Sequence, residues 1–520
     1  MNRRIKKTLV ALTALMTLGV QSMDAVVISV TVKNDSCQKV TGFGAAAMGT
    51  LMRPVTDPSI IEKAYGQDSP IGLNILRMEV SANLVGDVND GWDTPYDWHG
   101  YLPAVKMARS KGAIILGTPW SPPAAYKTNN SASGGKIDGD EANSVRGQLS
   151  SYGYTQFFPW LNTYVNYMKN NGAPVDVVAI QNEPDFWVGY NGCLYTPEEM
   201  YNLVKKYGKR FNKKSGVKLM GGEPFYFNEE YARRLLEDED TRSIIDCIGG
   251  HIYGSKPMAN MKTACGIATK YGKETWMTEH TVDPQGDENK IYDVPRWQDE
   301  ITFAQELNES MLAGINAYVY WYLYQRFGMI GDGESVPSGG NKDGEILPRG
   351  YVMSHFAKYL PGAYRVNTAS NVATDVGNIE RSAYLKGDSI IVITINNTST
   401  AKDLKFTFPY YVTEGKRISS TSQTSLCVET PVKIDGAVRV NLMDKMEPYS
   451  INTFIFKMDK NITGIRDVEA ENNETAEAAR RRAVYTLSGQ RVTEMTPGQI
   501  YVVDGRKVMA PMGGRIIPAP

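Results

Sequence analysis

Between residues 40 and 360 the chain repeats one pattern: a short, almost continuously apolar run, then a stretch with helical spacing. The apolar runs fall at 40–45, 73–80, 113–118, 175–181, 217–221, 244–251, 274–278 and 315–322. Several lack the polar alternation of a half-exposed strand, as happens when a parallel strand is covered on both faces. In one intervening stretch Phe157, Leu161, Tyr164, Val165 and Met168 share a helical face, and Gly172 can end that helix. Further helices are predicted at 58–65, 102–110, 197–213, 229–238, 258–270, 297–312 and 350–359. Eight strands and eight helices in this span predict an α/β fold, a (β/α)8 barrel over 40–360. A doubly wound open sheet is the rival, but it usually carries a glycine-rich phosphate loop, and the chain has no GxGxxG.

The flanking segments read differently. Residues 1–25 open with Arg3-Arg4-Ile5-Lys6-Lys7, continue with an apolar run over 8–20, and reach small residues at Ser22 and Ala25. That order predicts a signal peptide, because the run is shorter than the roughly 20 residues a membrane span needs. A protein that is secreted or held at the cell surface is expected, with no membrane span. Residues 26–39 carry a strand that no helix follows. From 361 to 457, short strands at 389–395, 404–408, 426–434, 437–442 and 451–456 show no helical period, which predicts an attached antiparallel β-sandwich that the 26–39 strand joins. Polar residues 458–482 read as a linker, and 483–520 as a short tail with two strands around Pro497-Gly498.

Composition removes several function classes. With 56 Lys+Arg against 57 Asp+Glu, the chain lacks the charge of a nucleic-acid binder. Four histidines, and five cysteines without a CxxC pair, argue against a metal centre. Aromatics are plentiful, with 8 Trp, 30 Tyr and 14 Phe, and they suit a wet stacking surface.

In a barrel, chemistry sits at the C-terminal ends of the strands. Here four strands run into acids: Glu79, Glu183, Glu223 and Glu279. Glycoside hydrolysis needs two carboxyl groups, one protonated to release the leaving oxygen and one ionised to attack the anomeric carbon or activate water. The residues alone leave open which two act, and a buried structural carboxylate is the ordinary alternative for each. Asn182 strengthens the case for Glu183, because an amide beside the acid can hold a sugar hydroxyl. Trp98, Trp120, Phe186, Trp187, Tyr190, Tyr195, Tyr253, Trp321 and Tyr322 lie at or after strand ends, where they can stack on sugar rings or fill the core.

The motifs Gln38-Lys39-Val40-Thr41-Gly42-Phe43-Gly44, Gly117-Thr118-Pro119-Trp120-Ser121-Pro122-Pro123, Ala179-Ile180-Gln181-Asn182-Glu183-Pro184-Asp185, His251-Ile252-Tyr253-Gly254, Trp276-Met277-Thr278-Glu279-His280 and Arg349-Gly350-Tyr351-Val352-Met353-Ser354-His355-Phe356 follow in order. Together they resemble glycoside hydrolase family 30, close to its bacterial xylanase and glucuronoxylanase subfamily 8. The resemblance implies a TIM barrel with a β-sandwich and a secreted, retaining endo-β-1,4-xylanase. It implies a polysaccharide substrate (xylan), no cofactor, no metal, no nucleic acid, and a monomer. It makes Glu183 the acid/base and Glu279 the nucleophile, with Asn182 on the 2-hydroxyl. Arg77 and Tyr253 support the nucleophile, and Trp98, Trp120 and Trp321 contact sugar. Where the glucuronate-dependent members carry a carboxylate-clasping arginine, this chain has Gln325, followed by Arg326 and Phe327. A neutral amide cannot form the bidentate charged pair, so strict glucuronate dependence is not expected. Thr281 or Val282 stands where the family has a tyrosine, and the loop 331–343 reads as long. Other readings are a β-1,6-glucanase of the same family or, from another class, an inactive carbohydrate-binding protein. The segment from Val484 onward resembles the C-terminal sorting tails of secreted Bacteroidetes proteins.

Overall fold

The computed structural model describes residues 27–47, 55, 57–82, 98–254, 257–282, 296–324, 328–333, 342–371, 378–422 and 424–459, and parts of 484–509. The leader, most of the linker and Gln325, Arg326 and Phe327 lie outside the described residues.

After strand β1 (Ile28–Lys39), eight parallel strands close a barrel: β2 (Gly42–Ala46), β3 (Ile75–Val80), β4 (Ile114–Pro119), β5 (Val177–Ala179), β6 (Lys218–Met220), β7 (Cys247–His251), β8 (Glu274–Glu279) and β9 (Ala317–Tyr320). Closure is made by β2 on β9, with Gly42 opposite Ala317 and Ala45 opposite Tyr320. The predicted barrel is therefore the observed one. Its centre is a plug of Ile75, Leu116, Val177, Ala179, Met220, Cys247, Trp276, Ala317 and Val319. The outward residues, such as Leu76, Met78, Val178 and Met277, pack against the ring of helices. This two-residue alternation gives each strand one interior face and one helix-facing side.

The helices are α1 (Pro58–Ala64), α2 (Leu102–Ser110), α3 (Ser151–Asn170), α4 (Pro197–Tyr207), α5 (Glu229–Glu237), α6 (Glu239–Ile244), α7 (Pro257–Lys270), α8 (Trp297–Ala313) and α9 (Pro348–Ala357). Their starts follow local chemistry. Thr196 caps α4 in a reciprocal capping box with Glu199, Pro197 takes the first turn, and Ser150 caps α3 through the Gly153 amide. Asp238 caps α6, a helix not anticipated, through the Thr241 amide.

The attached β domain is one sheet of eight strands. Its path runs β1, β12 (Tyr364–Ala369), β13 (Ile379–Lys386), β14 (Ser389–Asn396), β18 (Ser450–Asp459), β15 (Lys402–Ser420) and β16 (Val428–Pro431), with β17 (Val438–Met446) on β15. The strands are antiparallel except for β1 beside β15, a parallel pairing that returns the sheet on itself around Val30, Val392, Phe406, Phe454 and Phe456. Sequence pattern missed β13 because it carries Glu380, Arg381 and Ser382. These are buried because the strand backs onto α8, where Gln305 and Asn308 donate to Glu380 at 3.0 and 2.9 Å. Two further strands, β10 (Ile330–Asp332) and β11 (Asp343–Ile346), form a small ribbon after the last barrel strand. A separate unit from 459 to 520 contains a small antiparallel sheet of β19 (Val484–Thr486), β20 (Arg491–Val492), β21 (Ile500–Val503) and β22 (Arg506–Met509).

Arg349 of α9 locks the barrel's closing strand. Its guanidinium is 2.5 Å from the Tyr320 hydroxyl and 3.3 Å from Glu300 of α8, all three buried. Arg349→Met strands the Glu300 charge and lowers stability by about 3–5 kcal/mol, whereas the Arg349→Met/Glu300→Met pair recovers most of it. Urea unfolding of the three proteins checks this; equal losses in the single and double variants would contradict it.

Candidate active site

The interior register of β3 carries Ile75, then Arg77, then Glu79 up to the barrel's C-terminal end. Arg77 is fully buried there, and three polar groups hold it. Its Nη1 lies 2.6 Å from Glu279 Oε2, its Nη2 donates to Asn182 Oδ1 at 2.7 Å, and its Nε is 3.4 Å from Glu223 Oε1. The guanidinium also lies 4.7 Å from the ring centre of Trp120 and 5.7 Å from that of Trp321. Burial opposes the charge on Arg77, but Glu223 and Glu279 outweigh it and its pKa rises.

Glu279 reaches the interior through a bulge. Gly250 pairs with Met277, but His251 pairs with Glu279, so Thr278 is an extra residue in β8. Strict alternation would send Glu279 toward the helices beside Met277; the extra residue reverses its side. Its Oε2 meets Arg77, while the Tyr253 hydroxyl donates to Oε1 at 3.2 Å. Burial raises the Glu279 pKa against the pull of the Arg77 charge.

Glu183 follows β5 in a left-handed conformation, φ 43°. A non-glycine residue there costs roughly 1–3 kcal/mol, which the surroundings must offset. Its amide donates to the Glu223 carbonyl at 2.9 Å, and Asn182 bridges to the same residue. Glu183 Oε1 lies 3.0 Å from His251 Nδ1, and Tyr190 donates to Oε2 at 3.4 Å. Burial pushes the Glu183 pKa up to about 7, partly countered by Arg77. His251 is buried too and pushed down to about 4, so it is neutral at pH 7. A neutral imidazole accepts the proton of a protonated Glu183 on Nδ1 and keeps its N–H on Nε2, which faces Glu279 Oε2 at 3.9 Å.

The structure thus brings Arg77, Asn182, Glu183, Tyr253, Glu279, Trp120 and Trp321 together. It does not bring Trp98 to them. That indole is buried, donates to the Ser81 carbonyl at 2.8 Å, and meets Tyr164 and Tyr167 edge-on, so among the described residues its contacts are those of core packing rather than of the predicted sugar contact. Glu223 lies beneath the pair as a partner of Arg77. Gly249 makes its space, since a methyl there would come within 2.9 Å of the Glu223 side chain. Two residues had no assigned role in sequence: His251, which opens the His251-Ile252-Tyr253-Gly254 motif, and Phe225, in the run that follows Glu223.

Ligand atoms of Glu183, His251 and Glu279 lie within 4.8 Å of one another, close enough to be considered for a metal ion. A metal would have to displace Arg77 from Glu279 and take the His251 nitrogen from Glu183. The donors are committed to each other, and the trio suits proton exchange better than coordination.

Two buried carboxyl groups at the mouth of a barrel, one lifted to about 7 and one held by arginine, are the equipment of glycosidic cleavage. The protein is a glycoside hydrolase. A family model described as the glycosyl hydrolase catalytic core matches residues 150–325. The chain is 26% identical over 419 residues to glucuronoxylanase XynC of Bacillus subtilis strain 168, covering 78% of this chain and 87% of that protein. It is similar in structure to a glycoside hydrolase family 30 subfamily 8 xylanase from Clostridium acetobutylicum, with TM-score 0.67, 27% identity, and coverage of 83% and 99% of the two chains. An endo-1,6-β-D-glucanase from Aspergillus fumigatus is 25% identical over 411 residues, 69% of this chain and 79% of that one.

The raised Glu183 pKa has a consequence for stability. The folded state disfavours the ionised carboxylate, so this group's contribution is present below the unfolded pKa, about 4.3, and is lost as pH rises through about 7. Glu183→Gln removes that loss. Relative to wild type it gains about 1–3 kcal/mol between pH 4.5 and pH 8, read by denaturant titration at both pH values. A difference that is constant with pH would contradict the assignment.

Proposed function

We propose that the protein is a secreted, retaining endo-β-1,4-xylanase of glycoside hydrolase family 30. The observation that carries the reading is the closeness of the two acids: one carboxylate oxygen of Glu183 and one of Glu279 lie within 4.8 Å of each other. Double displacement needs carboxyl groups about 5–5.5 Å apart, whereas single displacement leaves about 6.5–9.5 Å for a water.

In this reading Glu183 enters protonated and gives its proton to the departing glycosidic oxygen. Glu279, kept anionic by Arg77 and Tyr253, attacks the anomeric carbon and forms an ester with the sugar. Glu183, now a carboxylate, removes a proton from water as the water displaces Glu279. Arg77 holds the Asn182 carbonyl oxygen, leaving the amide NH2 to donate to the 2-hydroxyl of the reacting sugar. Trp120 and Trp321, tilted at 35° with centroids 5.8 Å apart, wall the sugar on the Arg77 side. The xylan assignment is supported by the relatives named xylanase and glucuronoxylanase. With Gln325 in the place of the clasping arginine, glucuronate is accepted without being required. The β-1,6-glucanase reading shares both acids and is supported by the relatives of that name. Export rests on the 1–25 segment, and the tail from 483 is read as a sorting element. No helix among the described residues is long and apolar enough to cross a membrane.

Glu279→Ala abolishes cleavage of xylan, a loss of at least about 10⁴-fold on the scale of a removed nucleophile. Glu183→Ala spares the first step on substrates with activated leaving groups, which need no proton. Full turnover by Glu279→Ala would sink the assignment. Hydrolysis of xylan but not β-1,6-glucan is the expected preference, and the reverse result selects the second reading. Enzymatic removal of glucuronate from the polymer leaves activity in place; complete loss would overturn the reading of Gln325.

A further inference from the structure

The mechanism uses the Glu183–Glu279 pair, Tyr253 and the Trp120–Trp321 wall, but it leaves the rings stacked behind Tyr253 without a task. Tyr253, which donates to Glu279, stacks on Phe225 at 5.0 Å and 24°. Phe225 in turn stacks on Phe186 at 4.2 Å and 7°. The rings belong to three separate segments, after β5, after β6 and at the end of β7, so no single stretch of sequence makes the stack. Backbone bonds fix it: Asp185 Oδ1 accepts the Phe225 amide at 2.8 Å, and the Tyr253 amide donates to the Phe225 carbonyl at 3.2 Å.

The outermost ring is open. Phe186 is 39% exposed although one of its faces is on Phe225, so its exposure comes from the other face and the rim. Beside it Tyr190 is 36% exposed, with its hydroxyl on Glu183. A large apolar ring held rigidly in water at the mouth of a site loses little entropy when a flat ligand covers it. Phe186 stands three residues after Glu183, on the flank from which Glu183 addresses a departing oxygen. The Arg77, Trp120 and Trp321 wall belongs instead to β3, β4 and the end of β9.

We infer that Phe186, backed by Phe225 and Tyr253, is the platform for the sugar that leaves, the first unit beyond the scissile bond on the Glu183 side. This assignment rests on the retaining two-glutamate reading of the same cleft. It gives the enzyme a hold on chain that carries no reacting carbon, and it also places an acceptor. After the first displacement, a sugar resting on Phe186 presents a hydroxyl to the glycosyl-enzyme. The bond from Glu279 to the anomeric carbon breaks as the acceptor oxygen bonds that carbon, and the acceptor's proton passes to Glu183. Transfer to sugar then competes with hydrolysis.

The test compares two substrates on one enzyme: xylohexaose, whose leaving group is a sugar, and β-xylobiosyl fluoride, whose leaving group is a single fluorine. Phe186→Ala lowers the ratio of kcat/KM for hexaose over fluoride by about tenfold, the worth of one aromatic stack. Phe186→Trp keeps or raises that ratio. With the fluoride as donor and xylose oligomers as acceptor, Phe186→Ala also shifts products from transfer toward hydrolysis. Because both rates come from the same preparation, partial unfolding cancels in the ratio. An unchanged ratio together with unchanged transfer would overturn the assignment. A wild-type enzyme that cleaves β-1,6-glucan but neither xylose substrate overturns the xylan reading instead, and the same ratio is then read with gentiohexaose and β-gentiobiosyl fluoride.

Discussion

One buried guanidinium organises the catalytic end of this molecule. Arg77 is fully buried yet touches Glu279, Glu223 and Asn182 and lies under two tryptophans. A buried charge of this kind is tolerated only when it is fully partnered. Its partners are residues to which the proposed mechanism gives roles: the ion pair favours the anionic form of Glu279 against burial, the bond to Asn182 holds its amide in place, and Glu223 lies against the guanidinium from the next strands. Glu183 feels the same charge from farther off. Burial therefore prevails at Glu183 and lifts its pKa to about 7, while Glu279, though also raised, keeps a direct cation. A single cation, placed asymmetrically, separates the behaviour of two like groups.

The barrel supplies that asymmetry by register. Arg77 arrives by plain alternation along β3, whereas Glu279 needs the bulge at Thr278 and Glu183 needs a left-handed backbone. Both departures from ideal geometry sit where the carboxylates must converge, and the barrel below them is regular. The attached sheet sits elsewhere on the barrel. Through Glu380 it engages α8, and through Thr453 and Ser420 it engages the buried imidazole of His355 in α9. Those helices flank β9, the strand that closes the barrel and leads to Trp321.

The fold was legible because the barrel strands are buried on both faces, so their apolar runs are unbroken and stop at acids. Four strand-end acids were legible for the same reason, with Asn182 beside one of them, but the choice of Glu183 and Glu279 and the roles of Arg77 and Tyr253 came from the family resemblance, because strand-end position alone does not tell a catalytic carboxylate from a structural one. The burial of Trp98 was not legible because burial depends on what packs over a residue, and Tyr164 and Tyr167 come from α3, far along the chain. Phe225 was passed over because its partners, Phe186 and Tyr253, are joined to it only by the closing of the barrel. His251 looked like part of a motif rather than a partner of Glu183. Its role depends on a 3.0 Å contact between β7 and the segment after β5 that no spacing rule contains. Strand β13 hid behind Glu380, whose polarity suggests a surface until α8 is placed against it.

The central claim is that the two glutamates act on one anomeric carbon from close range by double displacement. Proton NMR of the reaction in its first minutes, before mutarotation, reads this directly from the configuration of the new reducing end. The account predicts that the β-anomer of the product accumulates first and the α-anomer follows as the sugar equilibrates. An α-anomer formed first would mean single displacement by water, and the roles assigned to Glu183 and Glu279 would be wrong.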